Sequence, residues 1–185
     1  MSRLSHVDPA RAEGEAKTLY ARIERQLGGV PNFMQVLANS PPTLAAFLGL
    51  SGNLSRGALD PQLRERLALE AAEVNACQYC VSAHTALGAQ SGLSEAEIVG
   101  ARQASSADAR AQAALTFAQA VLTNRGEVTS AELNAVREAG FSEGEVVEIV
   151  AHIALNVLTN YLGKVGQIDI DFPQVELLGR ACAAS

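Results

Sequence analysis

The chain has 185 residues, 48% of them hydrophobic, and a formal net charge of −6. That length suits one domain with a proper core, while the acidic balance argues against nucleic acid or an anionic membrane surface as a partner, since both need a basic patch. Aromatic residues make up only 4%, Trp is absent, alanine is abundant and there are three cysteines, a composition that favours helix over strand and is too poor in cysteine for a disulfide scaffold.

The N-terminal stretch MSRLSHVDPARAEGEAK has no apolar h-region and does not read as a secretory signal. The expected compartment is therefore the cytoplasm, where disulfides are mostly catalytic or transient. Asp8-Pro9, an N-cap followed by proline, predicts a helix running to about Arg25, and Gly28-Gly29-Val30-Pro31 breaks it. Ser40-Pro41-Pro42 opens another, with Leu44, Phe47, Leu48 and Leu50 at helical spacing. Asp60-Pro61 repeats the signal ahead of QLRERLALEAAEVN, where Leu63, Leu67 and Val74 form an apolar stripe. After Gly92 a Ser94-x-x-Glu97 capping box starts a further helix, and the same punctuation returns at Gly140 and Ser142-x-x-Glu145. Thr129-x-x-Glu132 supplies a third box. Glu145 to Leu162 is apolar on nearly every side, which predicts a central buried helix or one in a subunit interface. No apolar run reaches the ~18 residues that a membrane span needs. Period-2 alternation is hard to find, and nothing marks a linker. The expectation is an all-α single domain over residues 1–185, with about seven to nine helices.

Between the helix opened by Asp60-Pro61 and Gly92 lies NACQYCVSAH, which holds Cys77, Cys80 and His84. On a helix from Cys77 to Gln90 these fall at i, i+3 and i+7 and share one face. Val74-Asn75-Ala76 puts the thiols near that helix's N-terminus, where orphan N–H groups and the positive end of the dipole favour thiolate. A free cysteine titrates near ~8.5, and such a location lowers that to roughly 3.5–7.5. Glu65, Glu70 and Glu73 lie on the preceding helix. A carboxylate packed beside a Cys–His pair can orient the imidazole and pass protons, but most helix glutamates face solvent, and spacing does not choose among the three. Other readings compete. Zinc would need a fourth ligand from His6, His152, Cys182 or a carboxylate, because only half of the usual Cys-x-x-Cys pair of pairs is present. A thioredoxin-like site belongs near a βαβ pattern, which is missing. Two small buried hydrophobes beside a solvated histidine is the bland alternative. Two thiols in one turn with an imidazole on the same face favour a redox pair.

The full pattern, Glu65-x11-Cys77-x2-Cys80-x3-His84, resembles the signature of the AhpD-like alkylhydroperoxidases within the carboxymuconolactone decarboxylase superfamily. RERLALEAAEVNACQYCVSAHTALGAQSGLSEAEI is similar to the family core, so the redox motif core spans residues 61–100. GGVPNFMQVLANSPPTL and AHIALNVLTNYLGKVGQIDIDFP resemble the flanks of the branch called peroxidase-related proteins, and the similarity runs from about Leu19 to Pro173. The resemblance implies an AhpD-like helical fold, assembled as homo-trimers or homo-hexamers, and an alkyl hydroperoxide reductase. It implies that Cys80 attacks the peroxide, Cys77 resolves the resulting sulfenic acid to a disulfide, and His84 with Glu65 relays protons. An external dithiol, in the family often a lipoyl group on a partner protein, then reduces the disulfide, and no metal, flavin or haem cofactor is required. The residue chemistry agrees, since a second thiol close by captures a sulfenic acid before over-oxidation. Cys77 is expected to be the more accessible sulfur and the entry point for the reductant. In the position just before the latter cysteine, well-studied peroxidase members carry histidine; this chain has Tyr79, whose pKa near ~10 makes it a poor proton shuttle.

Other residues are set aside: His152 as a core or interface group that could line the pocket, His6 in a mobile N-terminus, Cys182 as an incidental terminal thiol, Tyr161 as packing, and Asp171-Phe172-Pro173 as a structural tail. Two rival functions remain. One is a decarboxylase-like enzyme using Glu65 and His84 as acid–base groups, indifferent to cysteine alkylation. The other is a redox-responsive interaction protein with the same disulfide as a switch.

Overall fold

The computed structural model describes residues 2–179. Among the described residues there are no strands, and a short 3-10 turn at Pro9–Arg11 precedes nine α-helices: α1 (Gly14–Leu27), α2 (Asn32–Leu37), α3 (Pro41–Leu54), α4 (Pro61–Val74), α5 (Gln78–Gln90), α6 (Glu95–Ala101), α7 (Ala109–Thr123), α8 (Ser130–Glu138) and α9 (Glu143–Gly166). The all-α single domain expected from sequence is what forms. The start signals at Asp60, Ser94, Thr129 and Ser142 work as read. The Asp60 carboxylate accepts from Leu63 N at 2.8 Å, and reciprocal capping boxes close at Ser94, Thr129 and Ser142. Gly92 and Gly140 sit at φ of +93° and +88°, the left-handed geometry that ends the preceding helices. The sequence reading did not single out α2 or α7, although Asp108 caps α7 at Ala111 N, 2.7 Å away.

The helix expected from Asp8 to Arg25 forms in two pieces. Asp8 caps only the 3-10 turn, Ala12 is extended, and α1 begins at Gly14. The break lets the Tyr20 hydroxyl donate to Val7 O at 2.9 Å while Ala12 and Ala16 turn inward. The N-terminal segment, expected to be mobile around His6, is tied down: Arg3 N donates to Gly166 O at 2.6 Å and Val7 N to Gln35 O at 3.1 Å.

The most enclosed element is α4, which packs against α5, α6, α7 and α9. Glu70 and Glu73, on a helix whose glutamates were expected to face water, are buried there. Glu73 pairs with buried Arg102 at 2.8 Å. By contrast α9 is two-faced. Val146, Ile149 and Ile153 enter the core shared with α4 and α7, whereas Val147, Val150, Leu158, Tyr161 and Val165 are exposed. By length and composition α9 could cross a membrane, against the expectation that no such run exists. In this fold its inner face carries His152, Asn156 and Asn160, all buried among neighbouring helices.

Beyond α9 the chain runs back across α5 without regular structure. Ile168, Ile170, Phe172, Val175 and Leu177 join the core formed with α1, α2 and α3. Val175 N donates to Ser82 Oγ at 3.0 Å, Leu178 N to Glu73 Oε1 at 2.5 Å, and Arg102 Nη2 to Glu176 O at 2.6 Å. This strap lies beside the thiols. Cys182 falls outside the described residues.

Candidate active site

The site begins at the turn between α4 and α5. Ala76 takes a left-handed φ of +51°, an arrangement that costs a residue with a Cβ of the order of 1 kcal/mol. The turn is gripped from α9: Asn75 Nδ2 donates to Asn160 Oδ1 at 2.9 Å and Lys164 Nζ to Asn75 O at 2.8 Å. Cys77 emerges as the N-cap of α5 rather than its first residue, and its sulfur accepts from Cys80 N at 3.3 Å. Cys77 and Cys80 are joined as a disulfide across a Cα–Cα separation of 5.3 Å. The two sulfurs thus meet at the start of the helix, the pairing that the resemblance implied.

One turn further along, His84 Nδ1 lies 2.8 Å from Glu65 Oε2, and both side chains remain about a fifth exposed, at 22% and 20%. A carboxylate accepting from Nδ1–H fixes the tautomer and leaves Nε2 as the ring's base. Of the three glutamates on α4, Glu65 is the one hydrogen-bonded to the histidine; Glu73 is committed to Arg102. Cys80, His84 and Glu65 line one cavity of about 590 Å³, walled by Phe33, Phe47, Tyr79 and Phe172. A smaller cavity of about 220 Å³ shares Glu65 and His84 and adds Arg64, His152 and Asn156.

The structure corrects one expectation directly. Cys77 is not the more accessible sulfur. It is 1% exposed against 4% for Cys80, and Cys80 is the one that lines the larger cavity. The cause is α9. Gly163 lies so close that a Cβ built there would come within 3.0 Å of Cys77 Sγ and 3.7 Å of Cys80 Sγ, so the helix backbone itself covers Cys77.

Tyr79 sits in the cavity wall with its hydroxyl donating to Asp171 Oδ1 at 2.8 Å and accepting from Phe33 N at 3.3 Å. Burial first, and the Asp171 carboxylate second, push its pKa well above the ordinary tyrosine value, so it stays protonated and structural. Asp171 also accepts from Asn32 N at 2.7 Å. Asp171 and Phe172, read from sequence as a structural tail, are cavity residues; tail position gives no periodic signal that would reveal this. His152 is buried and its Nε2 has no hydrogen-bond partner. Burial, and after it the Arg64 charge, hold its pKa below the usual histidine value. Among the described residues, no group of three or more His, Cys, Asp or Glu side chains is arranged to hold a metal ion.

Residues 41–121 match the model of the carboxymuconolactone decarboxylase family. A peroxidase-related protein with an alkylhydroperoxidase AhpD core from Ralstonia eutropha JMP134 superposes with a TM-score of 0.81 at 26% identity, covering 92% of each chain. A peroxidase-related protein from Silicibacter sp. TM1040 gives 0.76 at 24% identity, over 91% of this chain and 94% of that one. The debrominase Bmp8 gives 0.78 at 20% identity, over 91% and 92%, a likeness of fold. No curated protein matches the chain by sequence. Residues 41–121 are thus similar to the carboxymuconolactone decarboxylase family, and the fold as a whole is similar to that of a protein with an alkylhydroperoxidase AhpD core.

Proposed function

We propose that the protein is a cysteine-based alkyl hydroperoxide reductase. The observation that carries this reading is the Cys77–Cys80 disulfide at a cavity that also holds the hydrogen-bonded His84–Glu65 pair. In the reduced protein the Cys80 thiol passes its proton to His84, whose imidazolium the Glu65 carboxylate stabilises. The Cys80 thiolate attacks the outer peroxide oxygen, the O–O bond breaks, and the leaving alkoxide takes a proton from His84 to depart as an alcohol. Cys80 is then a sulfenic acid. The Cys77 thiol attacks its sulfur, a disulfide forms and water leaves. An external dithiol, such as a lipoyl group on a redox partner, restores both thiols. No step calls for a metal, flavin or haem. The aromatic wall of Phe33, Phe47 and Phe172 suits an organic hydroperoxide better than hydrogen peroxide, since only the former has apolar surface to bury.

The test is consumption of cumene hydroperoxide with dihydrolipoamide as reductant. Wild type turns over and Cys80→Ser does not; full activity in Cys80→Ser would overturn the reading. A second reading, acid–base chemistry on a lactone by Glu65 and His84, is supported by the match to the decarboxylase family model and by the smaller cavity, which those two side chains line without either cysteine. Activity that survives cysteine alkylation would favour it.

A further inference from the structure

Reduction of the disulfide has to begin at one of its two sulfurs. Cys77 is 1% exposed and lies under the backbone of α9 at Gly163, whereas Cys80 faces the 590 Å³ cavity. A nucleophilic thiolate approaches a disulfide along the S–S axis, from the side of the sulfur it attacks. Cys80 lines the cavity and can be reached through it, whereas Cys77 is more deeply buried and does not line it. Attack at Cys80 makes Cys77 the leaving group, and a buried thiolate is costly unless something donates a hydrogen bond to it.

One buried donor on the helix that covers Cys77 has nothing to do in the disulfide form. Asn160 is 0% exposed, its Oδ1 is taken by Asn75 Nδ2, and its own Nδ2 is buried without a partner. Asn160 lies three residues before Gly163, and therefore on the same face of α9 as the glycine whose Cβ position would crowd both sulfurs. Its partner Asn75 is two residues from Cys77. An orphaned buried amide N–H is rare and destabilising, and a state that gives it an acceptor is favoured.

We propose that the reducing dithiol attacks Cys80 through the cavity, and that Cys77 leaves as a thiolate stabilised by the Asn160 amide. This rests on the hydroperoxide-reductase reading for its dithiol donor and reverses the sulfur at which the donor was expected to enter. The donor's thiolate bonds to Cys80 Sγ, the Cys77–Cys80 bond breaks, and its electron pair goes to Cys77 Sγ. The donor's second thiolate then attacks its own sulfur in the mixed disulfide and releases Cys80 as a thiolate. The donor is oxidised by two electrons, the protein disulfide is reduced by two, and the donor's protons pass through solvent to the two cysteines. Asn160 acts through Cys77 and is a positioning residue.

Two measurements test this, and neither uses a hydroperoxide, so they stand apart from the peroxidase assay. First, reduced Cys77→Ala and Cys80→Ala proteins are mixed with oxidised lipoamide, and mixed-disulfide formation is followed by mass. Cys80, in Cys77→Ala, should react at least tenfold faster than Cys77 in Cys80→Ala; equal rates or the reverse order overturn the point of entry. Second, the disulfide is equilibrated with dihydrolipoamide and lipoamide at pH 7. Asn160→Leu and the nearly isosteric Asn160→Asp should each lower the equilibrium constant for reduction about tenfold, a midpoint about 30 mV more negative for this two-electron couple. Asn75→Ala breaks the same Asn75–Asn160 bond but keeps the donor, and should stay within threefold of wild type. A midpoint unmoved in Asn160→Asp, or moved as far in Asn75→Ala, overturns the role of the amide; a purely structural asparagine would lower thermal stability in both redox states without moving the midpoint.

Discussion

Tyr79 stands between Cys77 and Cys80 in the chain yet is withdrawn from proton chemistry, because its hydroxyl is spent on Asp171 and Phe33 N. Its job is to lock the strap and α2 to the wall of the cavity. Tyr79→Phe leaves a buried backbone N–H and a carboxylate oxygen without this partner, so a loss of about 1–3 kcal/mol is expected in urea unfolding, together with weaker binding of bulky hydroperoxides as the wall loosens. A stability within 0.5 kcal/mol of wild type, roughly the size of a neutral surface change, would refute the lock. His152 yields a pH prediction. Its folded-state pKa lies below its unfolded value of ~6.5, so the unfolded chain binds the proton more tightly. Stability should therefore be complete above about pH 6.5 and decline as pH falls from there toward the folded-state value. The charges facing the ring are Arg64, Glu65 and Glu148. Urea midpoints from pH 8 to 5 check this: the slope should flatten in His152→Gln, and an unchanged slope would remove His152 as its source.

At the scale of elements, what the sequence could reveal follows from how locally each feature is determined. Caps are local. Asp60, Ser94, Thr129 and Ser142 satisfy backbone N–H groups within three residues, so spacing alone reveals where those helices start. The Cys77, Cys80 and His84 register was legible for the same reason, being one helix. The choice of Glu65 was not: all three glutamates ride on α4, and only the angle at which α5 crosses it decides which one meets His84. Nor was the covering of Cys77, which depends on α9 presenting Gly163, 86 residues later in the chain. The Glu73–Arg102 pair is another long-range feature. It anchors the strap through Leu178 N and Glu176 O while both side chains are buried. Arg102→Ala would strand the Glu73 carboxylate, so it should cost about 3–5 kcal/mol. It should also make the segment 168–179 the first point of proteolytic cleavage; cleavage elsewhere first would separate the strap from the pair.

The whole molecule leaves one surface unexplained by its own core. Along α9, positions 147, 151, 154, 158, 161 and 165 alternate in steps of four and three and bring Val147, Leu158, Tyr161 and Val165 to the outside. Such 4–3 spacing is the seam by which one helix packs against another of the same kind. A seam that matches itself suits a second copy of the chain, and homo-oligomers most often close through such self-complementary contacts. Light scattering on the eluting protein should give a multiple of 19.3 kDa, and the Val147→Glu, Val165→Glu double variant should fall toward the monomer while keeping its helical circular dichroism. A wild-type monomer, or a double variant of unchanged mass, would rule the seam out. The consequence reaches the chemistry, because the inner face of the same helix lays Gly163 against the sulfurs and holds Asn75 through Asn160 and Lys164. Fixing α9 from outside would fix the wall against which Cys77 is released, so the double variant should also reduce more slowly with dihydrolipoamide even though its substitutions lie on the opposite side of the helix.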